Sequence, residues 1–229
     1  MDGPNPDEKR QILERNFLLG RLSRSEIDTL LTYSRVERYP AGEEIYAKGS
    51  PGQSMMVVLR GIAKMSSVSI DGKEIVLNIM HPGEIFGEIA ILDGKERSAD
   101  AVAMTDCEIM VVNRRDFLPM LEKHADICMI LLKILCQRLR QTSEQVEDIL
   151  FRHLESRIAK ALLHLAESAG RPDARGILVD VSQRELGNIA GGSRESVNKH
   201  LQNWHKADLI DLGKGSIVIR DRAAITRLV

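Results

Sequence analysis

Short β-branched runs separated by regularly spaced glycines occupy the segment from residue 36 to residue 115. The clearest runs are Val57–Leu59, Ile75–Leu77 and Ile109–Val112. Asp71–Gly72 is a strong hairpin signal, because both central positions of a type I′ turn need a positive φ. The glycines that punctuate the segment are Gly42, Gly52, Gly61, Gly72, Gly83 and Gly94. Many short strands at regular spacing predict a β-sandwich or jelly roll.

A heptad-like apolar repeat follows from Arg115 to about Leu150 and predicts one long helix. Successive members of the repeat are separated alternately by four and three residues: Cys128, Leu132, Leu135, Leu139, Thr142, Val146 and Ile149. Such a seam either packs on the β domain of its own chain or pairs with a second copy. Pairing is its usual use, so we predict a symmetric parallel dimer. The polar Thr142 weakens packing at its position and therefore suggests a functional role.

The C-terminal part reads as a helical DNA-binding module. After a hinge at residues 151–156, a helix over Glu155–Ala169 carries an apolar stripe. Ser182 and Glu185 form a capping box at the start of the next helix, and Gly191–Ser193 makes a turn into a further helix from Arg194. Short helix, glycine turn and second helix predict a helix-turn-helix. The expected buried positions are Ile158, Leu162, Leu165, Ala166, Leu186, Ile189, Ala190, Val197, Leu201 and Trp204.

The outer face of the second helix carries polar groups suited to base edges. Arginine and lysine can donate to guanine, and glutamate can accept from cytosine. The residues on this face are Arg194, Glu195, Asn198 and Lys199. A merely solvated helix face is the alternative, and the glycine turn with its Ser-Arg-Glu start disfavours it. The runs Leu209–Leu212 and Ser216–Ile219 flank Gly213–Gly215 and predict a β-wing, with Lys214 available to a phosphate.

Composition limits the remaining possibilities. The 229 residues suffice for two domains, and the net charge of −1 means that a DNA site must arise from local placement of charge. Three scattered cysteines and six histidines show no ligand spacing, so no metal is expected. The sequence offers no nucleophile–base pair and hence no sign of an enzyme. A polar start without a signal peptide and the lack of a membrane-length apolar run predict a cytoplasmic protein without a membrane partner.

The stretch from Pro82 to Ala101 has the chemistry of a sugar-phosphate site. Gly87 allows a ligand to approach the main chain, and the following helix start favours an anion. Arg97 can bind phosphate oxygens, with Ser98 adding a hydrogen bond. The acceptor-only carboxylate of Glu88 suits sugar hydroxyls. The alternative is a surface loop in which Glu88 and Arg97 pair with each other.

Phe86–Glu88, Leu92 and Arg97–Ala99 resemble the phosphate-binding cassette of the cyclic AMP receptor protein (CRP/FNR) family of bacterial transcription regulators. The resemblance implies that Glu88 holds the ribose 2′-hydroxyl and Arg97 the cyclic phosphate. Gly87, Ile89, Ser98 and Ala99 assist them. It also implies that Arg138 lies at the ligand and that Thr142 and Ser143 contact the purine, Ser143 from the partner subunit.

The C-terminal module resembles the winged DNA-binding domain of the same family. Arg194, Glu195 and Lys199 match its base-reading positions, and Ser182, Arg184, Ser193 and Ser196 match sites near the DNA backbone. Lys199 stands where the best-known member has arginine. Because lysine lacks the planar fork of arginine, preference at that base step is expected to be looser.

The sequence thus predicts an α+β protein. Its parts are an N-terminal β-roll (jelly-roll) cyclic-nucleotide-binding domain over 1–115, a dimerisation helix and hinge over 116–153, and a winged helix-turn-helix over 154–229. The resemblance implies a homodimeric regulator that binds palindromic double-stranded DNA when cyclic AMP is bound, with RNA polymerase as a further partner. Cyclic GMP stays open as the ligand, because hydroxyl groups can donate or accept. A nucleotide sensor acting on a protein partner is the other alternative, which the Ser193–Glu195 helix start disfavours.

Overall fold

The computed structural model of the protein describes residues 6–15, 20 and 23–229. The described residues form two compact units, one with the residues up to 67 and 77–140, the other with 68–76 and 141–229. Both units mix helices and strands, so the predicted α+β class is confirmed.

The N-terminal half contains two four-stranded sheets, with strand orders β1-β8-β3-β6 and β2-β7-β4-β5. The strands are β1 (Arg35–Tyr39), β2 (Glu44–Tyr46), β3 (Ser54–Arg60), β4 (Ala63–Val68), β5 (Glu74–Met80), β6 (Ile85–Phe86), β7 (Asp100–Ala103) and β8 (Cys107–Asn113). The helices that begin in this half are α1 (Pro6–Arg15), α2 (Arg24–Tyr33), α3 (Glu88–Asp93), α4 (Arg114–Lys123) and α5 (Ala125–Phe151). The predicted β-roll is therefore confirmed.

Strands β3 and β8 are apolar on both faces because each face packs on a different core. Ile109 and Val111 of β8 join a core between the two sheets, whereas Met110 and Val112 join a core beneath the helices. Leu13 and Phe117 belong to that second core. Successive side chains of a strand point to opposite faces, so a doubly covered strand reads as a continuous apolar run.

The single helix predicted from Arg115 is wrong near its start. Helix α4 ends at Lys123, His124 has non-helical dihedral angles (φ −129°, ψ 83°), and α5 begins at Ala125. Phe117 and Leu121 of α4 and Ile127 and Leu131 of α5 enter the same core. The break lets both helices bury their apolar faces there.

Helix α5 carries two apolar stripes rather than one. Ile127, Ile130 and Leu131 face the core of their own chain. The predicted seam lies largely elsewhere on the helix: Leu132, Leu139, Val146 and Ile149 are exposed, while Cys128 and Leu135 are half-buried. The residues of α5 that pack on the β domain are thus mainly not those of the predicted seam. Pairing of the exposed stripe with a second copy of the chain stays a prediction.

The predicted type I′ turn at Asp71–Gly72 is wrong in type. The Gly72 N–H donates to Ser69 O (2.9 Å), and the Ser69 N–H donates to Lys73 O (2.8 Å). Gly72 has a φ of 75°, whereas Asp71 is not among the described residues with positive φ. This is the three-residue hairpin loop in which only the last position is left-handed.

The C-terminal half contains α6 (Leu154–Ala169), α7 (Gln183–Ala190), α8 (Arg194–Lys206) and α9 (Arg222–Thr226). Its strands are β9 (Arg171–Asp173), β10 (Gly176–Val179), β11 (Ile210–Leu212) and β12 (Ile217–Ile219). The stripes predicted for α6, α7 and α8 are buried, apart from the half-buried Ile189. The predicted wing, β11 and β12, is confirmed and belongs to a larger sheet of order β11-β12-β10-β9.

Candidate functional site

Gly87 connects β6 to α3 in a conformation that favours glycine. Its φ is 76°, in the left-handed region that residues with a Cβ rarely adopt. A Cβ at this position would also lie 2.4 Å from Nη1 of Arg97. The backbone conformation therefore favours glycine here, and a side chain at this position would displace the Arg97 guanidinium.

Both the main chain and the side chain of Arg97 are hydrogen-bonded. Its N–H donates to Ser50 O, and its carbonyl accepts from the Gly49 N–H, both at 2.9 Å. In the side chain, Nη1 donates to Gly87 O (2.9 Å) and Nη2 to Ser54 Oγ (3.0 Å). The guanidinium thus contacts the residue immediately before Glu88.

The guanidinium of Arg97 is a buried charge. The residue is 5% exposed, and within the described part of the chain no carboxylate forms an ion pair with it. Nε is buried and has no hydrogen-bond partner among the described residues. Burial lowers the pKa of Arg97. A cation in such surroundings is costly, and an arriving anion would offset that cost.

Glu88 is the first residue of α3 and is 1% exposed. Its Oε1 accepts from Arg138 of α5, which also donates to Ile85 O. Its Oε2 is buried and has no partner among the residues that the structure describes. The alternative of a surface pair between Glu88 and Arg97 is therefore wrong: both are buried, and the partner of Glu88 is Arg138.

Glu88 and Arg97 together offer an acceptor and a donor to one ligand. The unpartnered Oε2 of Glu88 can accept from a hydroxyl, and the unpartnered Nε of Arg97 can donate to an anionic oxygen. Buried polar atoms are nearly always hydrogen-bonded, so two such atoms of opposite charge indicate a binding site. A ligand that meets both atoms carries a hydroxyl and an anionic oxygen.

The other residues predicted for this site occupy varied environments. Ile89 and Ser98 are exposed, and Ala99 is half-buried. Thr142 and Ser143 are exposed on α5, about one turn beyond Arg138. Their roles stay predictions.

Two contacts of Arg97 could not be identified from the sequence. Ser54, which accepts from Nη2, begins β3, and Tyr46, whose ring lies against the guanidinium, ends β2. Both lie far from Arg97 along the chain. Neither belongs to a motif near Arg97. Only the pairing of strands brings them to the guanidinium.

The helix-turn-helix is built by its caps. Ser182 Oγ accepts from the Glu185 N–H (3.1 Å) at the start of α7, and Ser193 Oγ accepts from the Ser196 N–H (3.2 Å) at the start of α8. Gly191, with a φ of 66°, ends α7. Because these caps fix where each helix begins and ends, they determine which residues open α8.

The first turns of α8 expose most of the predicted DNA-binding residues. Arg194, Glu195, Ser196 and Lys199 are exposed. Asn198, which the sequence placed on the same outer face, is instead half-buried, and its Oδ1 is inaccessible to solvent. The face that can approach a groove is therefore narrower than predicted.

A cleft of about 260 Å³ lies beside α8, between the start of α7 and the wing. Ser182, Arg184 and Arg194 line it, together with Gly213 and Gly215 of the wing. The fold thus brings two arginines, a hydroxyl and the wing backbone to one surface. Such a surface suits the phosphate backbone of a duplex.

Arg157 joins the ends of two helices and was not identified from the sequence. Nη1 donates to Ile149 O (3.1 Å) and Arg152 O (3.2 Å) at the end of α5. Nε donates to Ala190 O (2.9 Å) and Nη2 to Gly191 O (3.2 Å) at the end of α7. Hydrogen bonds from the Arg157 side chain thus connect the end of α5, at the predicted hinge, to the end of α7 in the helix-turn-helix.

The described residues lack two other kinds of site. No cluster of three or more histidine, cysteine or acidic side chains there could hold a metal ion. No helix of that part of the chain combines the length and apolarity needed to span a bilayer.

Comparisons with known proteins cover both halves of the chain. Residues 36–124 match the sequence model of the cyclic nucleotide-binding domain, and residues 156–228 match that of the Crp-like helix-turn-helix domain. The chain is 31% identical over 207 residues to the cyclic AMP receptor protein of Thermus thermophilus, covering 90% of this chain and 94% of the relative. It is 30% identical over 219 residues to a CRP-like cAMP-activated global transcriptional regulator of Mycobacterium tuberculosis, covering 95% and 98%.

Solved structures share the fold. A CRP-family transcriptional regulator from Thermus thermophilus superposes with a TM-score of 0.74 at 27% identity, covering 84% of this chain and 95% of that structure. The c-di-GMP responsive global regulator CLP of Xanthomonas campestris gives a TM-score of 0.78 at 22% identity, covering 86% and 99%. At 22% identity, the match to the Xanthomonas regulator shows only that the two chains share a fold.

Proposed function

The chain belongs to the CRP/FNR family of transcription regulators, and from this premise we propose that it is a homodimer whose binding to palindromic DNA is favoured by cyclic AMP. Members of this family are transcription regulators, and residues 36–124 of this chain match the cyclic nucleotide-binding domain. The proposed role is therefore regulatory rather than enzymatic. RNA polymerase is the proposed further partner, and the cytoplasm is the proposed location, because a bacterial chromosome lies there. The proposed division of the chain remains 1–115, 116–153 and 154–229.

One observation carries the proposal for the ligand: Glu88 and Arg97 are buried and each keeps an unpartnered polar atom among the described residues. A cyclic nucleotide has a ribose 2′-hydroxyl next to a singly charged cyclic phosphate. The hydroxyl can donate to Glu88 Oε2, and the phosphate can provide the anion that Arg97 lacks. Gly87, Ile89, Ser98 and Ala99 are proposed to surround the phosphate. No metal is needed for this recognition.

The identity of the base is proposed from the relatives and from α5. Both sequence relatives described above carry cyclic AMP in their names. Arg138, Thr142 and Ser143 are the proposed purine-side residues, with Ser143 contributed by the partner subunit. Because a hydroxyl can donate or accept, cyclic GMP is the alternative.

Titration calorimetry of the full chain with cyclic AMP, cyclic GMP and cyclic di-GMP tests the ligand. We expect cyclic AMP to bind most tightly. Tighter binding of cyclic GMP would make cyclic GMP, rather than cyclic AMP, the proposed ligand of the same site. Lack of heat with all three, together with an unchanged melting temperature, would contradict a nucleotide role for Glu88 and Arg97.

The exposed stripe of α5 is the proposed dimer contact. Leu132, Leu139 and Val146 recur along the helix at seven-residue spacing and are exposed in the single chain. Two such stripes in parallel bury each other by the packing of a coiled coil. Cyclic AMP then regulates DNA binding only if it has higher affinity for the DNA-competent dimer than for the incompetent one.

Arg194→Ala tests the proposed reading of DNA. Arg194 is exposed at the first position of α8, where side chains of a recognition helix reach base edges. We expect the variant to lose about 1–3 kcal/mol of DNA affinity and to relax the choice of base at one guanine. The measurement is fluorescence anisotropy with duplexes substituted at each position of the site. Arg171→Ala, which removes an exposed arginine of β9, is the control. An equal loss on every duplex would make Arg194 a phosphate contact instead.

A further inference from the structure

Tyr46 lies against the guanidinium of Arg97. Cζ of Arg97 is 4.2 Å from the centroid of the Tyr46 ring, well within the range of a cation–π contact. The ring centroids of Tyr46 and Phe86 are 6.0 Å apart, and the two ring planes are tilted by 34°. The Tyr46 hydroxyl lies 3.5 Å from Met65 Sδ. The tyrosine is therefore fixed by the core while its face covers the arginine.

The Tyr46 ring can stabilise the buried charge of Arg97. Among the described residues, the groups that accept hydrogen bonds from its guanidinium are a carbonyl and a hydroxyl, which are both neutral. The negative face of an aromatic ring stabilises a cation, and most strongly where water is excluded. Burial raises the pKa of Tyr46 to about 12. The phenol thus stays neutral at physiological pH, and the ring face rather than a phenolate makes the contact.

The orientation of Arg97 depends on the same contact. Gly87 O and Ser54 Oγ each accept from one terminal nitrogen and leave Nε unpartnered among the described residues. The Tyr46 ring packs against the guanidinium plane and therefore restricts its rotation about the axis defined by these two hydrogen bonds. A guanidinium already fixed in this plane loses less conformational freedom when an anion arrives.

We propose that Tyr46 is a positioning residue for the nucleotide phosphate, holding the plane of Arg97 through its ring face so that the arginine is ready to receive the anion. This inference rests on the proposed function. A side chain that merely fills the core would need only the volume of the ring, whereas this role needs its electron density. The two roles can therefore be separated at constant shape.

The experiment places phenylalanine, and phenylalanines carrying one, two and three ring fluorines, at position 46 of the full chain. Each fluorine withdraws electron density from the ring face with little change in shape. We expect Tyr46→Phe to bind cyclic AMP like the parent, and affinity to fall stepwise to about tenfold weaker with three fluorines. The same fluorinated residues at Phe86, which packs on Tyr46, are the matched control and should show no graded loss.

The outcomes separate the two proposals. Graded loss at position 46 alone supports the positioning role. Equal affinity across the series, or the same gradient at Phe86, overturns it and leaves the nucleotide site intact. A parent protein that binds no cyclic nucleotide in calorimetry overturns the proposed function and this inference with it.

Discussion

Arg97→Leu is expected to weaken the binding of cyclic AMP by about 100- to 1,000-fold, because it removes the buried charge that is proposed to face the phosphate. The guanidinium forms no ion pair with a carboxylate within the described part of the chain, so we expect the ligand to supply its counter-ion. Titration calorimetry of the full chain measures the effect.

The same substitution is expected to leave the ligand-free protein folded. Leucine removes a costly buried cation but also leaves Gly87 O and Ser54 Oγ without their donor. Because these effects oppose each other, the free energy of unfolding should change by no more than about 2 kcal/mol. Arg114→Leu is the matched control, since Arg114, at the start of α4, donates to a main-chain carbonyl of α3, Ile91 O (2.9 Å). Unchanged affinity in Arg97→Leu, or an equal loss in Arg114→Leu, would refute the phosphate role.

Glu88→Gln is expected to weaken cyclic AMP binding by about 100-fold. The amide keeps the shape of the side chain but loses the charge that strengthens the hydrogen bond from the ribose hydroxyl. It also leaves Arg138 without its carboxylate partner. Arg138 is a proposed ligand-side residue, and without this carboxylate its guanidinium is no longer held in place by α3.

The 2′-deoxy analogue of cyclic AMP isolates the hydrogen bond to Glu88. The parent should bind the analogue more weakly than cyclic AMP by about 1.5–3 kcal/mol, and Glu88→Gln should show less than half of that difference. Glu84→Gln, at an exposed carboxylate that accepts from the His81 N–H, is the control and should discriminate like the parent. If Glu88→Gln retained the full discrimination, the 2′-hydroxyl would lie elsewhere.

Local chemistry was predictable from the sequence, whereas partners distant in the chain were not. The residue types at Gly87, Glu88 and Arg97 suffice to suggest a sugar-phosphate site. That Glu88 pairs with Arg138, and that Tyr46 covers Arg97, follows from strand and helix packing across many residues. Sequence spacing carries no signal for such contacts.

The limits of pattern reading are clearest in the helices. The apolar period of α4 continues into α5, so nothing in it marks the break at His124. The break is determined by the core, which takes up Phe117 from one helix and Ile127 from the next. Likewise, a heptad period identified an exposed stripe on α5 but could not separate it from the neighbouring core stripe. In the hairpin, glycine was rightly placed at a left-handed position, but the loop length was set by strand register.

A cyclic nucleotide is proposed to change the affinity of this chain for DNA. The direct measurement is the dissociation constant of the full chain for a duplex enriched from a random pool in saturating cyclic AMP, determined by anisotropy without nucleotide, with cyclic AMP and with cyclic GMP. We predict that cyclic AMP lowers the constant by about 5- to 150-fold. Equal constants under all three conditions would contradict the account.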